Sequence, residues 1–249
     1  LLTTGSADVA TPVLLMRLRD GQLWEPLWVQ TNPYRGLAAF TEADADFFCG
    51  REQLVEDLKT HLRHNPRFLA VVGPSGSGKS SVVQAGLLPT LRRGDLPRSE
   101  EWQIVSARPG DDPYASLDLP SLLSPERDRK RRLVLFIDQF EELFALCPPE
   151  VQTCFLNDLH TLITGTVPAT VILTLRADFY GHVLRHPLGE RLAASQVNVL
   201  PMQPEELRTA VETPAHQVGL EFEAGLVESI VEDARAADQN FRVAHAAIP

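Results

Sequence analysis

The chain has 249 residues, of which 44% are hydrophobic and 22% charged, with a net charge of −10. That length holds one sizeable α/β domain plus extra pieces. The acidic balance argues against general affinity for nucleic acid or anionic membranes, and no apolar run approaches the ~18 residues needed to span a bilayer. Cys49, Cys147 and Cys154 lack C-x-x-C spacing, so neither a disulfide framework nor a zinc site is expected, and the expected compartment is a reducing cytoplasm. The chain starts at Leu1 without a charged stretch leading into an apolar one, so no signal peptide is expected and the sequence reads as a fragment of a longer polypeptide.

Residues 1–31 carry the apolar runs Pro12–Met16 and Leu23–Trp28 around a charged turn at Arg19-Asp-Gly21. Two strands joined by a turn fit, as the tail of an upstream domain. Asn32-Pro-Tyr-Arg-Gly36 reads as a linker punctuated by Pro and Gly. An amphipathic helix follows from about Arg51 to His64, with Leu54, Val55, Leu58 and Leu62 as its buried stripe and Pro66 marking its end.

The apolar run Arg67–Val72 predicts a buried strand, and Ser81–Leu88 is apolar at helical spacing. Between them stands Gly73-Pro-Ser-Gly-Ser-Gly-Lys-Ser80, a complete G-x-x-x-x-G-K-[ST] phosphate-binding loop in the strand–loop–helix context the motif requires. Gly73, Gly76 and Gly78 let the backbone turn so that its N–H groups converge on phosphate oxygens at a helix N-terminus. Pro74, Ser75 and Ser77 fill the variable positions of the loop, and Ser81 continues it into the helix, so all of them belong to the expected phosphate cradle. Lys79, one of only three lysines, is placed to reach the β- and γ-phosphates, and the Ser80 hydroxyl to ligate Mg²⁺.

Further strands are predicted at Trp102–Ser106, Leu133–Ile137, Thr170–Leu175 and Val197–Leu200, with helical stretches near 81–93, 141–146 and 150–164. Continuous apolar strands alternating with helices predict a mostly parallel sheet covered on both faces. Basic clusters at Arg92-Arg93 and from Arg127 to Arg132 read as solvated surface. From Pro204 the pattern is helical only, with Leu226, Val227, Ile230 and Val231 marking the last helix.

The strand Leu133–Ile137 ends in Asp138, followed by Gln139-Phe-Glu-Glu142. Ligands of such sheets bind at the carboxyl ends of the strands, so Asp138 is the second candidate metal ligand. Glu141 and Glu142 lie one helical turn on, and one of them is the candidate general base, with Glu142 favoured over Glu141. The alternative is a pair of acids opening a solvated helix. The next strand ends in Arg176, which is read as a γ-phosphate sensor, or else as an ion-pair partner of Asp178 or Glu142. No Asn-Lys-x-Asp guanine reader occurs, so ATP is preferred over GTP.

Taken in order, Asn32–Phe40, Asp46–Glu52, the phosphate loop, Asp138–Phe144, Thr174–Phe179, Leu200-Pro-Met202 and Glu205–Ala215 resemble the bacterial STAND NTPases, and most of all the novel STAND NTPase 1 group, often fused to WD40 or TPR repeats. The resemblance implies a P-loop NTPase three-layer sandwich over residues 32–200, then the start of a helical arm or lid over 201–249. It implies a slow Mg²⁺-dependent ATPase that alternates between a closed ADP state and an oligomeric ATP state, with sensor repeats and an effector fused or recruited. It sets the backbone around Gly50 and Arg51 against the adenine and Arg176 in the sensor position. The resemblance departs at Asp111–Arg132, which is short for the helices usual there, and after Asp233, where the expected lid does not continue. Two other readings stay open, an AAA+-like remodelling ATPase and a nucleotide-binding scaffold that does not hydrolyse.

Overall fold

The chain divides into units Leu1–Asn32 and Pro33–Pro249, and the computed structural model describes residues 32–123 and 131–246. The two strands expected before residue 31 and most of the basic cluster near Arg127 lie outside the described residues.

A segment from Pro33 through a 3-10 turn at Glu42–Phe47 leads into α1 (Glu52–His64). Val55, Leu58 and Leu62 form the buried face of α1, and Lys59 is buried beside them. Its stem joins the apolar stripe while its ammonium donates to Asp95 at 2.8 Å and pairs with Glu56. β1 (Phe68–Gly73) follows, buried at all six positions. The helix after the phosphate loop is continuous but not uniform. It runs as α2 (Lys79–Ser81), a π-helical stretch at Val82–Leu87, and α3 (Leu88–Arg92). The chain then proceeds through β2 (Gln103–Ala107), α4 (Pro113–Ser116), α5 (Leu119–Leu123), β3 (Leu133–Ile137), α6 (Glu142–Leu146) and α7 (Pro149–Thr164). It finishes with β4 (Ala169–Arg176), α8 (Tyr180–Leu184), α9 (Leu188–Ala194), β5 (Gln196–Asn198), α10 (Pro204–Gln217) and α11 (Leu226–Ala246).

The five strands form one sheet in the order β2-β3-β4-β1-β5, every pairing parallel. Side chains alternate between its faces, as strand geometry requires. Phe68, Ala70 and Val72 of β1 join Leu133, Leu135 and Ile137 of β3 in a core roofed by Leu156, Leu159 and Ile163 of α7. Leu69 and Val71 join Val134, Phe136 and Ile172 on the other face, under Leu58 and Leu62 of α1 and Leu88 and Leu91 of α3. This double covering is why β1 and β3 read as unbroken apolar runs and β4 as a largely apolar one broken by Thr170 and Thr174.

The register matters more for the site. Gly73 pairs with Arg176, Ile137 with Leu173, and Ala107 with Ile137. The carboxyl ends of β1, β2, β3 and β4 therefore finish along one rim, where the loops carrying Pro74–Gly78, Arg108, Asp138 and Asp178 begin.

The helical segment after residue 201 belongs to the same unit as the sheet. Gly50 explains part of that union. It has φ +83°, and a Cβ on it would stand 2.3 Å from the Glu206 carbonyl oxygen. Only glycine accepts that backbone and that approach together. The Tyr34 hydroxyl also donates to the Val211 carbonyl, so the segment before α1 is fastened to α10 at two places.

Candidate functional site

The phosphate loop leaves β1 at Gly73 and turns through Gly76 (φ +73°) and Gly78 (φ +87°), the latter being the N-cap of α2. These left-handed conformations aim successive N–H groups into the concavity. Pro74 and Ser75, the outermost residues of the turn, are exposed and line the opening beside it, as does Ser81 at the end of α2. Lys79 is 8% exposed, and its ammonium donates to the loop's own carbonyls, Gly73 at 3.1 Å and Pro74 at 2.6 Å. Burial pushes its pKa down; Glu141 opposes this and Arg176 adds to it. The Ser77 hydroxyl is buried there without a hydrogen-bond partner. A buried cation satisfied only by carbonyls, an orphaned hydroxyl and converging N–H groups make a donor set suited to an anion, so these residues fit a phosphate chain.

Asp138 follows β3 and is 3% exposed. Its Oδ1 accepts from the hydroxyls of Ser80 at 2.6 Å and Thr174 at 2.8 Å. Its Oδ2 accepts from Gln84 at 3.3 Å and Arg108 at 3.2 Å. The two sequence-predicted metal ligands, Ser80 and Asp138, are thus brought into direct contact. Among the described residues no group of three or more His, Cys, Asp or Glu side chains gathers. One carboxylate and one hydroxyl suit Mg²⁺, which keeps several waters and draws its remaining ligands from phosphate.

After Asp138 the chain makes a sharp turn. Gln139 takes φ +54°, and its N–H donates to the Thr174 hydroxyl at 2.8 Å. Thr174 so links β4 to both residues of the turn. The turn separates the two glutamates. Glu141 lies at the rim, where its carboxylate accepts from the Arg176 N–H at 3.2 Å and acts electrostatically on Lys79. Glu142, the favoured candidate base, points the other way and accepts from the Gly110 N–H at 3.1 Å, across the loop that follows β2. Helical phase fails as a guide because α6 begins only at Glu142, leaving Glu141 in the turn.

Arg176 stands at the tip of β4 but its guanidinium is engaged with Asp178, at 3.1 and 2.6 Å, and lies over the Phe179 ring at 5.4 Å. The Asp178 pairing named as the alternative in the sequence is therefore the one present. It is an exposed pair, worth about 0–1 kcal/mol, and readily exchanged for a stronger anion.

Beside the loop opens a cleft of about 670 Å³. It is lined by Phe40, Phe48 and Arg51, by the stretch from Val199 to Pro204 and Leu207, and by Ala234 and Arg235 of α11. Phe40 and Phe48 pair at 5.8 Å between centroids, giving an apolar wall of the kind that accepts a flat base. Arg51 lines the cleft but spends its charge on protein, donating to the Leu200 carbonyl at 2.8 Å and standing 3.8 Å from Glu206. The Gly50 N–H donates to the Glu52 carboxylate at 2.9 Å. Ser81 caps the wall by accepting from the Phe40 N–H at 3.1 Å.

Reading the sequence missed Thr174, Arg108 and Gln84 as partners of Asp138. Thr174 and Arg108 carried a usable signal, since each lies at or just past the carboxyl end of a predicted strand. Gln84 carried none, because the π-helical stretch that turns it toward Asp138 has no composition cue. Such stretches occur frequently at functional sites.

Among curated protein sequences none matches this chain. Solved structures do. The Walker-type ATPase of Pyrococcus abyssi matches with TM-score 0.53 and 17% identity over 79% of this chain and 66% of its own. A closed state of Hsp104 with ATPγS and casein matches with TM-score 0.55 and 15% identity over 79% of this chain and 35% of its own, and the extended Saccharomyces cerevisiae Hsp104–casein complex with TM-score 0.52 and 15% identity over 76% and 33%. The chain thus spans less than two thirds of the length of these proteins, and the likeness establishes the P-loop NTPase fold. The sequence model described as novel STAND NTPase 1 matches residues 33–244, nearly the whole described region with its phosphate loop and the rim of strand ends around it. The chain belongs to the novel STAND NTPase 1 family, and is a nucleotide-binding P-loop NTPase.

Proposed function

We propose that this chain is the ATP-dependent switch of a signalling protein, hydrolysing ATP slowly to reset its state. One observation carries the proposal. The cleft beside the phosphate loop is lined by the sheet's rim, by the segment before α1 and by residues of α10 and α11, which supports a reading in which one nucleotide contacts every part that the switch moves. In this reading the N–H groups from Ser75 to Ser81 and the Lys79 ammonium hold the phosphates. Ser80 and Asp138 hold Mg²⁺, which when bound neutralises phosphate charge. Glu141 orients and deprotonates the attacking water, supported by its place at the rim beside Arg176 and Lys79. Arg176 exchanges Asp178 for the γ-phosphate and so distinguishes ATP from ADP. The base lies in the apolar cleft between Phe40, Phe48 and Met202, near Gly50 and Arg51.

By analogy with the family, assembly into a homo-oligomer in the ATP state, fused sensor repeats and an effector, and a cytoplasmic location belong to the same proposal. No helix among the described residues is long and apolar enough to cross a membrane.

The test is calorimetric titration of the chain with ATP and ADP in Mg²⁺, beside Lys79→Ala. Losing one charge-assisted contact to phosphate, worth about 1.5–3 kcal/mol, weakens binding by about 10- to 150-fold. Light scattering with ADP and with a non-hydrolysable ATP analogue then reads the switch. Identical particles in both, at saturating nucleotide, refute it.

A further inference from the structure

The strand-end carboxylate has four donors, and they are not alike. Ser80 and Thr174 place neutral hydroxyls on Oδ1, at 2.6 and 2.8 Å. Thr174 is wholly buried, and Ser80 sits in the first turn of α2. On Oδ2, Gln84 comes from the π-helical stretch, whose neighbouring Gly86 is wedged so tightly that a Cβ there would meet Val55 at 2.6 Å. Arg108 differs from all of them. Its side chain is 52% exposed, against 4% for Asp138, and it reaches in at 3.2 Å from the loop after β2, on a long stem with room to leave.

A carboxylate has about four lone-pair positions, so Asp138 is saturated. A divalent cation or its bound water that draws on Oδ2 has to displace a donor. The hydroxyls on Oδ1 are no obstacle, since a Ser80 that gives its lone pair to a metal still donates its proton to Asp138. Gln84 is neutral and stands on a stretch of helix whose backbone is packed against Val55 and Phe48 at Gly86. Arg108 is the mobile donor and the one with a full positive charge, so it and a divalent cation are direct rivals for one oxygen.

We propose that Arg108 is a positioning residue that competes with Mg²⁺ for Asp138 and sets the metal affinity of the site. The proposal rests on the reading of Asp138 as the metal-holding carboxylate. Arg108 keeps a nearly buried anion neutralised and correctly aimed when no metal is held, and it yields when a nucleotide brings a stronger cation. Once displaced, its guanidinium remains on the same rim as the phosphate loop, because Ala107 is in register with Ile137, the residue before Asp138. A rival lowers the apparent metal affinity to the fraction of time it leaves the carboxylate free, so one that occupies it about nine-tenths of the time weakens metal binding about tenfold. Removing it therefore tightens metal binding, the reverse of what loss of a metal-site organiser does.

The experiment titrates Mn²⁺ into the full chain with saturating ADP, reading free Mn²⁺ by electron paramagnetic resonance. Arg108→Gln and Arg108→Ala are each expected to bind Mn²⁺ at least tenfold more tightly, and Arg108→Lys, which keeps the charge, to stay within about threefold of the parent. Unchanged or weaker binding in both neutral variants overturns the proposal. Asp138→Asn is run alongside to separate it from the reading beneath it. If Asp138→Asn loses Mn²⁺ and the Arg108 variants do not gain, only the competition is wrong. If Asp138→Asn binds Mn²⁺ like the parent, the metal site is misassigned and the proposal falls with it.

Discussion

Replacing Thr174 by Val tests the geometry around Asp138 without any ligand. Valine keeps the shape of threonine but removes the hydroxyl, which here does two jobs at a position with 0% exposure. It donates to Asp138 at 2.8 Å and accepts from the Gln139 N–H at 2.8 Å. A hydrogen bond to a charged group is worth about 1.5–3 kcal/mol, and an orphaned buried N–H costs about 1–3 kcal/mol. The two losses share one hydroxyl and are not independent, so about 3–4 kcal/mol is the expected total. For a unit of this size each kcal/mol lowers Tm by roughly 2–4 °C, which gives a drop of about 6–16 °C. Thr174→Ser keeps both bonds and loses one methyl group, costing about 1 kcal/mol. Thermal unfolding followed by circular dichroism on the three proteins, confirmed by urea midpoints, makes the comparison. A Thr174→Val protein within about 1 kcal/mol of the parent, or a Thr174→Ser protein equally destabilised, refutes the double role.

Three other outcomes are expected. Glu141→Gln slows phosphate release from ATP by about 10²–10⁴-fold, the range of a lost general base, while Glu142→Gln stays within about tenfold of the parent; the reverse order refutes the choice of Glu141. Gly50→Ala forces a Cβ to within 2.3 Å of the Glu206 carbonyl at φ +83°, and costs at least about 2 kcal/mol in urea unfolding. The pH dependence of stability carries the mark of Lys79, whose folded pKa is pushed down by burial. Between that lowered value and the unfolded one near ~10.4 the unfolded chain binds more protons, so stability rises with pH through this window. Lys79→Met removes the rise, and equal slopes in the two proteins refute it.

The fold was legible where burial acts on both faces of a strand. Leu133–Ile137 has no polar residue, and a strand between two helical layers needs none. The site was legible where one local loop builds it, as from Gly73 to Ser80. It was only partly legible where partners meet through the order of strands. Arg108, Asp138 and Thr174 come from three strand ends that become neighbours only because the sheet runs β2-β3-β4. No spacing in the sequence encodes that order. The glutamates show a different limit. Their separation rests on the positive φ of Gln139, a conformation rare for a residue with a side chain, and one that throws the chain out of helical phase before α6 starts.

The cleft walls bear on how a nucleotide could drive movement. The segment from Pro33 to Arg51 touches the core on one side, where Phe48 packs near Gly86, and α10 on the other. Among the ties to α10 and the linker before it are the Tyr34–Val211 hydrogen bond, the Arg51–Leu200 hydrogen bond and the distant Arg51–Glu206 pair. At about 0.5–1.5 kcal/mol for the neutral Tyr34 bond, about 1.5–3 kcal/mol for the bond from the charged Arg51 guanidinium and less than about 1 kcal/mol for the partly exposed pair, these ties are worth a few kcal/mol beyond the apolar contacts of α10. In the proposed switch the difference between ATP and ADP at Arg176 and Lys79 is of similar size, since one charge-assisted contact to phosphate supplies about 1.5–3 kcal/mol. A ligand shifts an equilibrium only by its differential affinity for the two states. In that switch a γ-phosphate contact offsets these polar ties, and the apolar contacts of α10 set the rest of the cost, while the sheet stays intact because its strands are held by continuous buried ladders. Strengthening the tie to α10 should then lock the arm and blunt the response to ATP, while leaving ADP binding at the loop intact.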